Sequence, residues 1–337
     1  MTSDPDTQAA FAPALPSVPV MPVPDGSCDT HVHVFDPARY PYADSRSYTP
    51  PSATAAQLAG VAARLGVERV VVVQPSCYGH DNAAVLDAVR QLGLTRARGV
   101  VALDEASLHD RTADIEAFHR SGVRGVRLNG SVNDLGDGEA IAAHMARLQT
   151  ATAHLGWHVQ MYMPVSTVKA IAPAIAAFKM PVVLDHFGGL DASSCVQGSP
   201  DVDTLLHLLR TGNLYLKLSA PYRVAGSKAG VGQALADVVR RFAQAAPDRL
   251  LWGSDWPHTG GAGRRAGAVT YRDTGLGNGA RACAAFEPFR SENAATALDE
   301  LQTWLPDPAV RHRILVSNPA RLYGFDLATA ALPPREV

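Results

Sequence analysis

Short apolar, β-branched segments recur along the chain, and apolar residues return every three or four positions in the segments between them. Near-continuous apolar runs are typical of parallel strands that are covered on both faces. The three-to-four spacing is typical of amphipathic helices. The predicted strands are 27–35, 69–74, 98–103, 123–128, 157–162, 181–186, 214–219 and 250–255. The predicted helices are 55–65, 82–92, 108–121, 139–155, 165–178, 201–211, 232–246, 291–304 and 308–316.

Eight strand–helix units in one chain predict an α/β fold, a single-domain (β/α)8 barrel of the TIM type. An open, doubly wound sheet is the alternative, but no GxGxxG motif follows the first strand to support it. We assign residues 27–325 to the barrel. Residues 1–26 form an N-terminal arm that is flexible or draped on the barrel, and residues 326–337 form a C-terminal tail.

Two irregular stretches follow the first and the eighth strand, on the face where barrel active sites form. Residues 37–51 are rich in Tyr and Pro, and they either pack over the barrel mouth or contact a substrate. Residues 259–285 are rich in Gly, Arg and Ala. A loop of that length without regular structure is usually a lid or is disordered.

The composition is that of an ordinary globular protein, with 47% hydrophobic and 18% charged residues in 337. A net charge of −2 gives no basic field for nucleic acid or an anionic membrane. No run of 18 apolar residues occurs, and the first 26 residues lack the basic and apolar regions of a secretory signal. We therefore expect a cytoplasmic protein. The cysteines form no CxxC motif, which fits a reducing compartment; they are Cys28, Cys77, Cys195 and Cys283.

His31 and His33 lie two positions apart on the first predicted strand, so both side chains project to the same face. Two imidazoles aimed at one point can bind a metal or polarise a substrate oxygen, although an isolated HxH is more often structural. His186 and Asp255 stand at the ends of the sixth and eighth strands, which favours a functional site. Asp255 then suits a general base that activates water, with a turn aspartate before Pro257 as the alternative.

Arg127 ends the fourth strand, and Arg223 follows the seventh. An unpaired arginine is costly to bury, and its guanidinium binds carboxylate or sulfonate oxygens in a bidentate way. Two arginines at one barrel mouth predict a substrate with two acidic groups. The alternative is that each arginine pairs with an Asp or Glu of the protein.

Six motifs, spread in order from about residue 25 to about residue 325, resemble those of the lactonases of the amidohydrolase superfamily. They are DTHVHVF at 29–35, VQPSCYG at 73–79, GVRGVR at 122–127, DHFG at 185–188, WGSDWPH at 252–258 and NPARLY at 318–323. Each motif is weak alone, but their combination is specific.

The resemblance implies that water opens the ring of an anionic lactone from aromatic-compound degradation. The carbonyl would be polarised by His31, His33 and His186, and Asp255 would activate the water. Anionic groups of the substrate would be held by Arg127, Arg223 and Tyr162. Further substrate contacts are expected from Ser76, Tyr48 and His258.

The resemblance also bears on the metal and the substrate. Superfamily members with two metals carry a bridging Lys or Glu where this chain has Arg127 and Leu128, so we expect no binuclear centre. One Zn²⁺ on the three histidines and Asp255 is reasonable by ligand type, but the related lactonases also work without metal. A second arginine of the pyrone-dicarboxylate pattern is replaced by Asn133. Lactones of the 4-sulfomuconolactone and 2-pyrone-4,6-dicarboxylate types are therefore equally favoured.

Other functions remain open from the sequence. The same superfamily contains metal-dependent, non-oxidative decarboxylases, and a sugar-acid lactonase ranks below the two favoured lactone types. A binding protein on a degraded barrel is disfavoured, because the His/His/His/Asp set is complete. The expected partner is a small anionic lactone, with no nucleic acid and no membrane, and the chain is a monomer or a homo-oligomer.

Overall fold

The computed structural model describes residues 13–104, 108, 112–129, 137–225, 231–260 and 287–326. All eight predicted strands are present and pair in parallel in sequence order, so the predicted (β/α)8 barrel is confirmed. The strands are β1 Cys28–Val32, β2 Arg69–Val73, β3 Ala97–Val101, β4 Val123–Asn129, β5 His158–Tyr162, β6 Val182–Leu184, β7 Leu214–Ser219 and β8 Leu250–Gly253. The helices are α1 Ala55–Leu65, α2 Ala83–Leu92, α3 Thr112–Arg120, α4 Gly138–Thr152, α5 Val165–Ala170, α6 Ala172–Ala177, α7 Pro200–Thr211, α8 Pro221–Ala225, α9 Val231–Ala245, α10 Ala294–Trp304, α11 Pro308–His312 and α12 Asn318–Tyr323.

The barrel closes between β1 and the segment that follows β8. The backbone N–H of His33 donates to Trp256 O at 2.8 Å, and that of Asp255 donates to His31 O at 2.9 Å. The Asp29 carboxylate adds a bond from Ser254 N at 2.9 Å. These bonds exclude an open sheet, and they place the HxH motif of β1 beside Asp255.

Alternate residues of the strands pack on opposite faces of the barrel wall. Val70 and Val72 belong to the large apolar cluster between strands and helices. Val71 and Val73 belong to a second, smaller cluster that also contains residues of helix α12. Because successive strand residues point to opposite faces, the smaller cluster lies inside the barrel. It lies at the amino-terminal end, where Asn318 of α12 donates to Leu250 O at the start of β8. Toward the carboxyl ends of the strands, the barrel interior contains polar side chains.

Both ends of helix α1 are set by capping residues. The Thr54 hydroxyl accepts the Gln57 backbone N–H, and the Gln57 side chain accepts the Thr54 N–H, which completes a capping box. Gly66 ends the helix in the left-handed region, at φ 75°.

One predicted helix is divided in the structure. Residues 165–178 form two short helices, α5 and α6, on either side of Ile171. Pro173 stands in the first turn of α6. Proline has no N–H to donate, and its ring excludes the carbonyl one turn earlier, so the helix cannot run through it.

The described part of the N-terminal arm lies along the barrel. Arg64 Nε of α1 donates to Pro16 O at 2.6 Å. Val20 N donates to the Asp299 carboxylate of α10 at 2.8 Å. Residues 13–26 are thereby attached to two helices of the outer ring, whereas residues 1–12 lie outside the described residues.

The linker after β1 packs over the barrel mouth. The Tyr42 ring lies 5.0 Å from that of Tyr78 and 6.5 Å from that of Phe35, between centroids. Most of the predicted lid, from residue 261 onward, lies outside the described residues, as do Asn133 and Cys283. The three described cysteines are buried free thiols. Among the described residues, no helix has the length and apolar character needed to cross a membrane.

Candidate active site

Four predicted site residues meet at the carboxyl ends of the strands. The Nε2 atoms of His31 and His33 lie 3.3 Å apart. Asp255 Oδ1 lies 3.6 Å from each of them and 3.7 Å from His186 Nε2. All four side chains are buried. Asp255 Oδ1 therefore lies within 3.7 Å of one nitrogen of each of the three imidazoles.

The outer nitrogens of the imidazoles are held by other groups. His33 Nδ1 lies 2.8 Å from Val73 O, and a carbonyl oxygen only accepts, so Nδ1 carries a proton; in the neutral ring, Nε2 then carries a lone pair. His186 Nδ1 lies 2.8 Å from Ser219 Oγ. Such contacts fix the ring orientation of histidines that bind metals or substrates.

The two oxygens of Asp255 have different surroundings. Oδ2 accepts the Tyr222 hydroxyl at 2.6 Å, and Arg223 Nε and Nη2 at 3.1 and 2.8 Å. Buried Oδ1 has no hydrogen-bond partner among the described residues. Burial opposes ionisation, but the Arg223 guanidinium and, to a smaller extent, interactions with the neighbouring imidazoles outweigh it and hold the pKa of Asp255 well below its usual value. Asp255 is thus an anion with one oxygen available.

His31, His33 and Asp255 offer a donor set that fits one divalent metal ion. Four atoms at the corners of a tetrahedron with zinc–nitrogen bonds of 2.0–2.1 Å lie about 3.3 Å apart. The distances between His31 Nε2, His33 Nε2 and Asp255 Oδ1 are close to that value. Burial lowers the pKa of His186 to about 4 and that of His31 well below its usual value, so both rings are neutral ligands near pH 7.

Asp185 lies just below the cluster and belongs to a buried ionic network. Its carboxylate lies 3.2 Å from His31 Nδ1, 3.4 Å from Lys217 Nζ and 3.6 Å from Arg127 Nη2. Gln160 Nε2 donates to it at 3.1 Å. Although His31, Asp185 and His186 also lie close enough to hold a metal, two cations already compensate Asp185. It is therefore a poor ligand for a second metal.

The sequence pattern alone does not predict this network or the contact of Tyr222 with Asp255. A signal for Lys217 was present, because a lysine at an alternate position of an apolar strand points into the barrel. Burial lowers the pKa of Lys217 to about 8. Asp185 directly precedes His186 in the DHFG motif, and the motif does not indicate a role for its carboxylate. Tyr222 precedes Arg223, and nothing in the spacing distinguishes it.

The predicted arginines are bound within the protein. Arg127 Nη1 donates to Gln74 O at 2.8 Å, and its buried Nε has no partner among the described residues. Arg223 uses Nε and Nη2 for Asp255, and Nη2 also donates to Thr259 O at 3.2 Å. Pairing with Asp255 is the alternative that the sequence left open for Arg223. Its predicted contact with substrate stays a prediction, as does that of Arg127.

The other predicted contacts surround the mouth. Tyr162 is 40% exposed, and its ring lies 4.8 Å from that of His186. His258 is buried, and its backbone N–H donates to the backbone oxygen of Asp255 at 2.7 Å. Burial lowers the pKa of its imidazole to about 4. Ser76 begins the 3-10 turn after β2, and Tyr48 is buried in the linker after β1. Their substrate contacts stay predictions.

Backbone strain is concentrated at this end of the barrel. All non-glycine residues with positive φ among the described residues follow β6, β7 or β8; they are His186, Phe187, Ala220, Asp255 and His258. Left-handed backbone costs about 1–3 kcal/mol for such residues and persists where surrounding structure enforces it. Two of the four converging residues are therefore aimed by strained backbone.

A (β/α)8 barrel with HxH on its first strand, His after the sixth and Asp after the eighth defines a barrel of the amidohydrolase type. The family model described as Amidohydrolase matches residues 28–325, and the chain belongs to this family. The membership expected from the sequence motifs is thereby confirmed.

Two curated relatives and one solved structure cover most of the chain. The 4-sulfomuconolactone hydrolase of Rhizobium radiobacter is 32% identical over 322 residues, or 93% of this chain and 95% of the relative. The 2-pyrone-4,6-dicarboxylate hydrolase of Comamonas testosteroni is 38% identical over 253 residues, or 73% of this chain and 81% of the relative. The apo crystal structure of an Agrobacterium tumefaciens protein has a TM-score of 0.73 and 25% identity, covering 93% of this chain and 98% of that one.

Proposed function

We propose that the protein hydrolyses the ester bond of an anionic lactone. The observation that carries the proposal is the environment of Asp255, a buried carboxylate with one oxygen held by Tyr222 and Arg223 and the other facing three imidazoles. The activities named for the two relatives, hydrolysis of 4-sulfomuconolactone and of 2-pyrone-4,6-dicarboxylate, support the same chemistry.

In the proposed reaction, Asp255 Oδ1 accepts a proton from water as the water oxygen attacks the lactone carbonyl. The bond between the carbonyl carbon and the ring oxygen then breaks, and the proton on Asp255 passes to the departing oxygen. Arg223 and Tyr222 hold Oδ2 throughout, so the carboxylate keeps its orientation while Oδ1 gains and loses the proton.

The carbonyl oxygen needs positive charge as it becomes an oxyanion. When one zinc ion is bound, by His31, His33, His186 and Asp255, it supplies a Lewis acid and lowers the pKa of water. Without metal, a proton held on an imidazole Nε2 serves the same purpose. We propose a single-metal site at most, because Asp185 is already paired with Lys217 and Arg127.

The acidic groups of the substrate are proposed to lie against Arg127, Arg223 and Tyr162. Arg127 Nε is a buried donor without a partner among the described residues, and Nη1 of Arg223 takes no part in its bonds to Asp255. Ser76, Tyr48 and His258 are proposed as further contacts. A substrate that pairs a carboxylate with a sulfonate, and one with two carboxylates, both satisfy two guanidinium groups.

The test is hydrolysis of 4-sulfomuconolactone and 2-pyrone-4,6-dicarboxylate by protein treated with a chelator, with and without added Zn²⁺. We expect ring opening of at least one lactone and, for Asp255→Asn, a loss of kcat of at least about 10³-fold, because the amide cannot accept the proton. The variant should keep the circular dichroism spectrum of the wild type.

Carbon dioxide is measured in the same assays. Strictly metal-dependent release of carbon dioxide without ring opening would identify a decarboxylase of the same family instead. Full lactonase activity of Asp255→Asn would refute the assignment of the base.

A further inference from the structure

Three buried groups form a triangle beneath the active site. His31 Nδ1 lies 3.2 Å from Asp185 Oδ1 and 3.2 Å from Lys217 Nζ, and the last two atoms lie 3.4 Å apart. All three side chains have no exposed surface. One neighbour can only accept a hydrogen bond from the imidazole, and the other can only donate one. The triangle therefore decides which ring nitrogen of His31 carries its proton.

The other bonds of Lys217 and Asp185 limit the choices. Lys217 Nζ donates to Thr30 O at 2.8 Å and to Gln160 Oε1 at 2.9 Å, so one of its three N–H groups remains. Gln160 Nε2 donates to Asp185 Oδ2. The amide of Gln160 is thus held at both ends, and Oδ1 of Asp185 faces His31 Nδ1 and the remaining N–H of Lys217.

Two arrangements of the protons are possible. If Lys217 donates to His31 Nδ1, the lone pair of that nitrogen and the Asp185 oxygen face each other at 3.2 Å without a hydrogen between them. If His31 carries its proton on Nδ1, both His31 and Lys217 donate to Asp185 Oδ1, and each of the three atoms of the triangle has a partner. Because two buried acceptor atoms that face each other without a hydrogen are costly, the second arrangement is favoured.

We propose that Asp185, held by Lys217 and Gln160, is a positioning residue that fixes His31 with its proton on Nδ1 and a lone pair on Nε2. His33 is fixed in the same tautomer by Val73 O. Two lone pairs then face each other across 3.3 Å, with the anionic Asp255 Oδ1 beside them. These three atoms are all acceptors, so together they hold a cation or an added proton.

The proposal rests on the proposed function only in assigning these Nε2 atoms to chemistry. The tautomer itself is read without substrate, by long-range ¹H–¹⁵N correlation on full-length protein with ¹⁵N-labelled histidine, as purified and after chelation. The His31 signals are assigned with His31→Gln. We expect a protonated Nδ1 and an unprotonated Nε2. A proton on Nε2 of the chelated wild type overturns the proposal, whatever the lactonase assay gives.

The variant Asp185→Asn tests whether the Asp185 carboxylate fixes the tautomer of His31. Gln160 Nε2 and the Arg127 charge both lie on the Oδ2 side, so the amide oxygen stays there and the NH₂ group faces His31. We expect the His31 proton to move to Nε2. We also expect kcat to fall by about 10²–10⁴-fold with KM within about threefold, as for a histidine held in the wrong tautomer. An unchanged tautomer in this variant overturns the proposal.

Two further variants complete the test. Asp29→Asn is the matched control, because Asp29 is equally buried but accepts the backbone N–H groups of His31 and Ser254 rather than an imidazole proton. Its His31 proton should stay on Nδ1. Lys217→Met decides the matter if Asp185→Asn does not fold: with the carboxylate in place, the proton stays on Nδ1, and its transfer to Nε2 would assign control to Lys217 instead.

Discussion

The two oxygens of the Asp255 carboxylate have different roles: one is held in place by hydrogen bonds, and the other is free to react. Oδ2 is surrounded by the Tyr222 hydroxyl and the Arg223 guanidinium, whereas Oδ1 faces the imidazoles. A carboxylate that rotated freely would point its reactive oxygen away from the substrate for part of the time. The structure instead fixes the carboxylate plane before a substrate arrives, which is preorganisation at the scale of one residue.

Tyr222→Phe removes one of these restraints. A hydrogen bond to a charged group contributes about 1.5–3 kcal/mol, so we expect kcat for lactone hydrolysis to fall by about tenfold or more, with a smaller change in KM. Steady-state kinetics measure both constants. Tyr215→Phe is the control, because its hydroxyl accepts from Arg249, outside the His/Asp cluster, and its kcat should stay at the wild-type value. Equal kinetics for the two variants would contradict this role of Tyr222.

At the scale of elements, β8 must pass very close to β1. A Cβ atom on Gly253 would lie 2.7 Å from His31 Cβ and 2.9 Å from His31 N. The contacts are with backbone and a buried side chain, which cannot yield as an exposed side-chain end would. Glycine at this position lets the HxH strand and the Asp255 segment approach within hydrogen-bond distance.

Gly253→Ala should therefore separate the two strands. We expect a loss of about 1–3 kcal/mol in the free energy of unfolding, typical of overpacking, and reduced lactonase activity because His31 moves away from Asp255. Urea unfolding measures the first effect. Gly232→Ala is the matched control: a Cβ there meets nothing within 4 Å in helix α9, so stability should stay equal or rise by up to about 1 kcal/mol. Similar losses in both variants would refute the steric argument.

Strands and helices were predictable from sequence because each has its own repeat of apolar residues along the chain. Parity alone placed His31 and His33 on one face, and the eight apolar runs predicted the barrel that brings His186 and Asp255 to them. Contacts between strands were not predictable. The meeting of Asp185 with Lys217 depends on the register of β6 against β7, and the Tyr222–Asp255 bond depends on how a short helix turns after β7.

At the scale of the whole molecule, the barrel interior keeps buried histidines neutral, and this lowers the stability of the fold at acidic pH. Burial lowers the pKa of His158, inside the barrel, to about 3. An unfolded histidine titrates near pH 6.5. Between these values the unfolded chain binds a proton that the folded protein excludes, so stability falls as the pH falls through this window, by up to about 1.4 kcal/mol per pH unit for each such group.

His158→Gln should reduce that dependence. We expect the wild-type free energy of unfolding to decrease from pH 7 to pH 4, and the variant to lose up to one proton's share of the slope. Urea unfolding at several pH values measures both slopes. Parallel curves for wild type and variant would show that His158 is not a group that titrates on unfolding.

Closure of the barrel through β1 and β8 also affects how the active site forms. Thr30 Oγ1 donates to Trp252 O across 222 positions, and Ser254 N donates to the Asp29 carboxylate across 225 positions. Contacts so distant in sequence form late and slowly in folding. A chain emerging from the ribosome presents its histidine pair long before the carboxylate that completes the set. A fragment of the barrel must therefore extend from β1 past the end of β8 to contain both the histidine pair and Asp255.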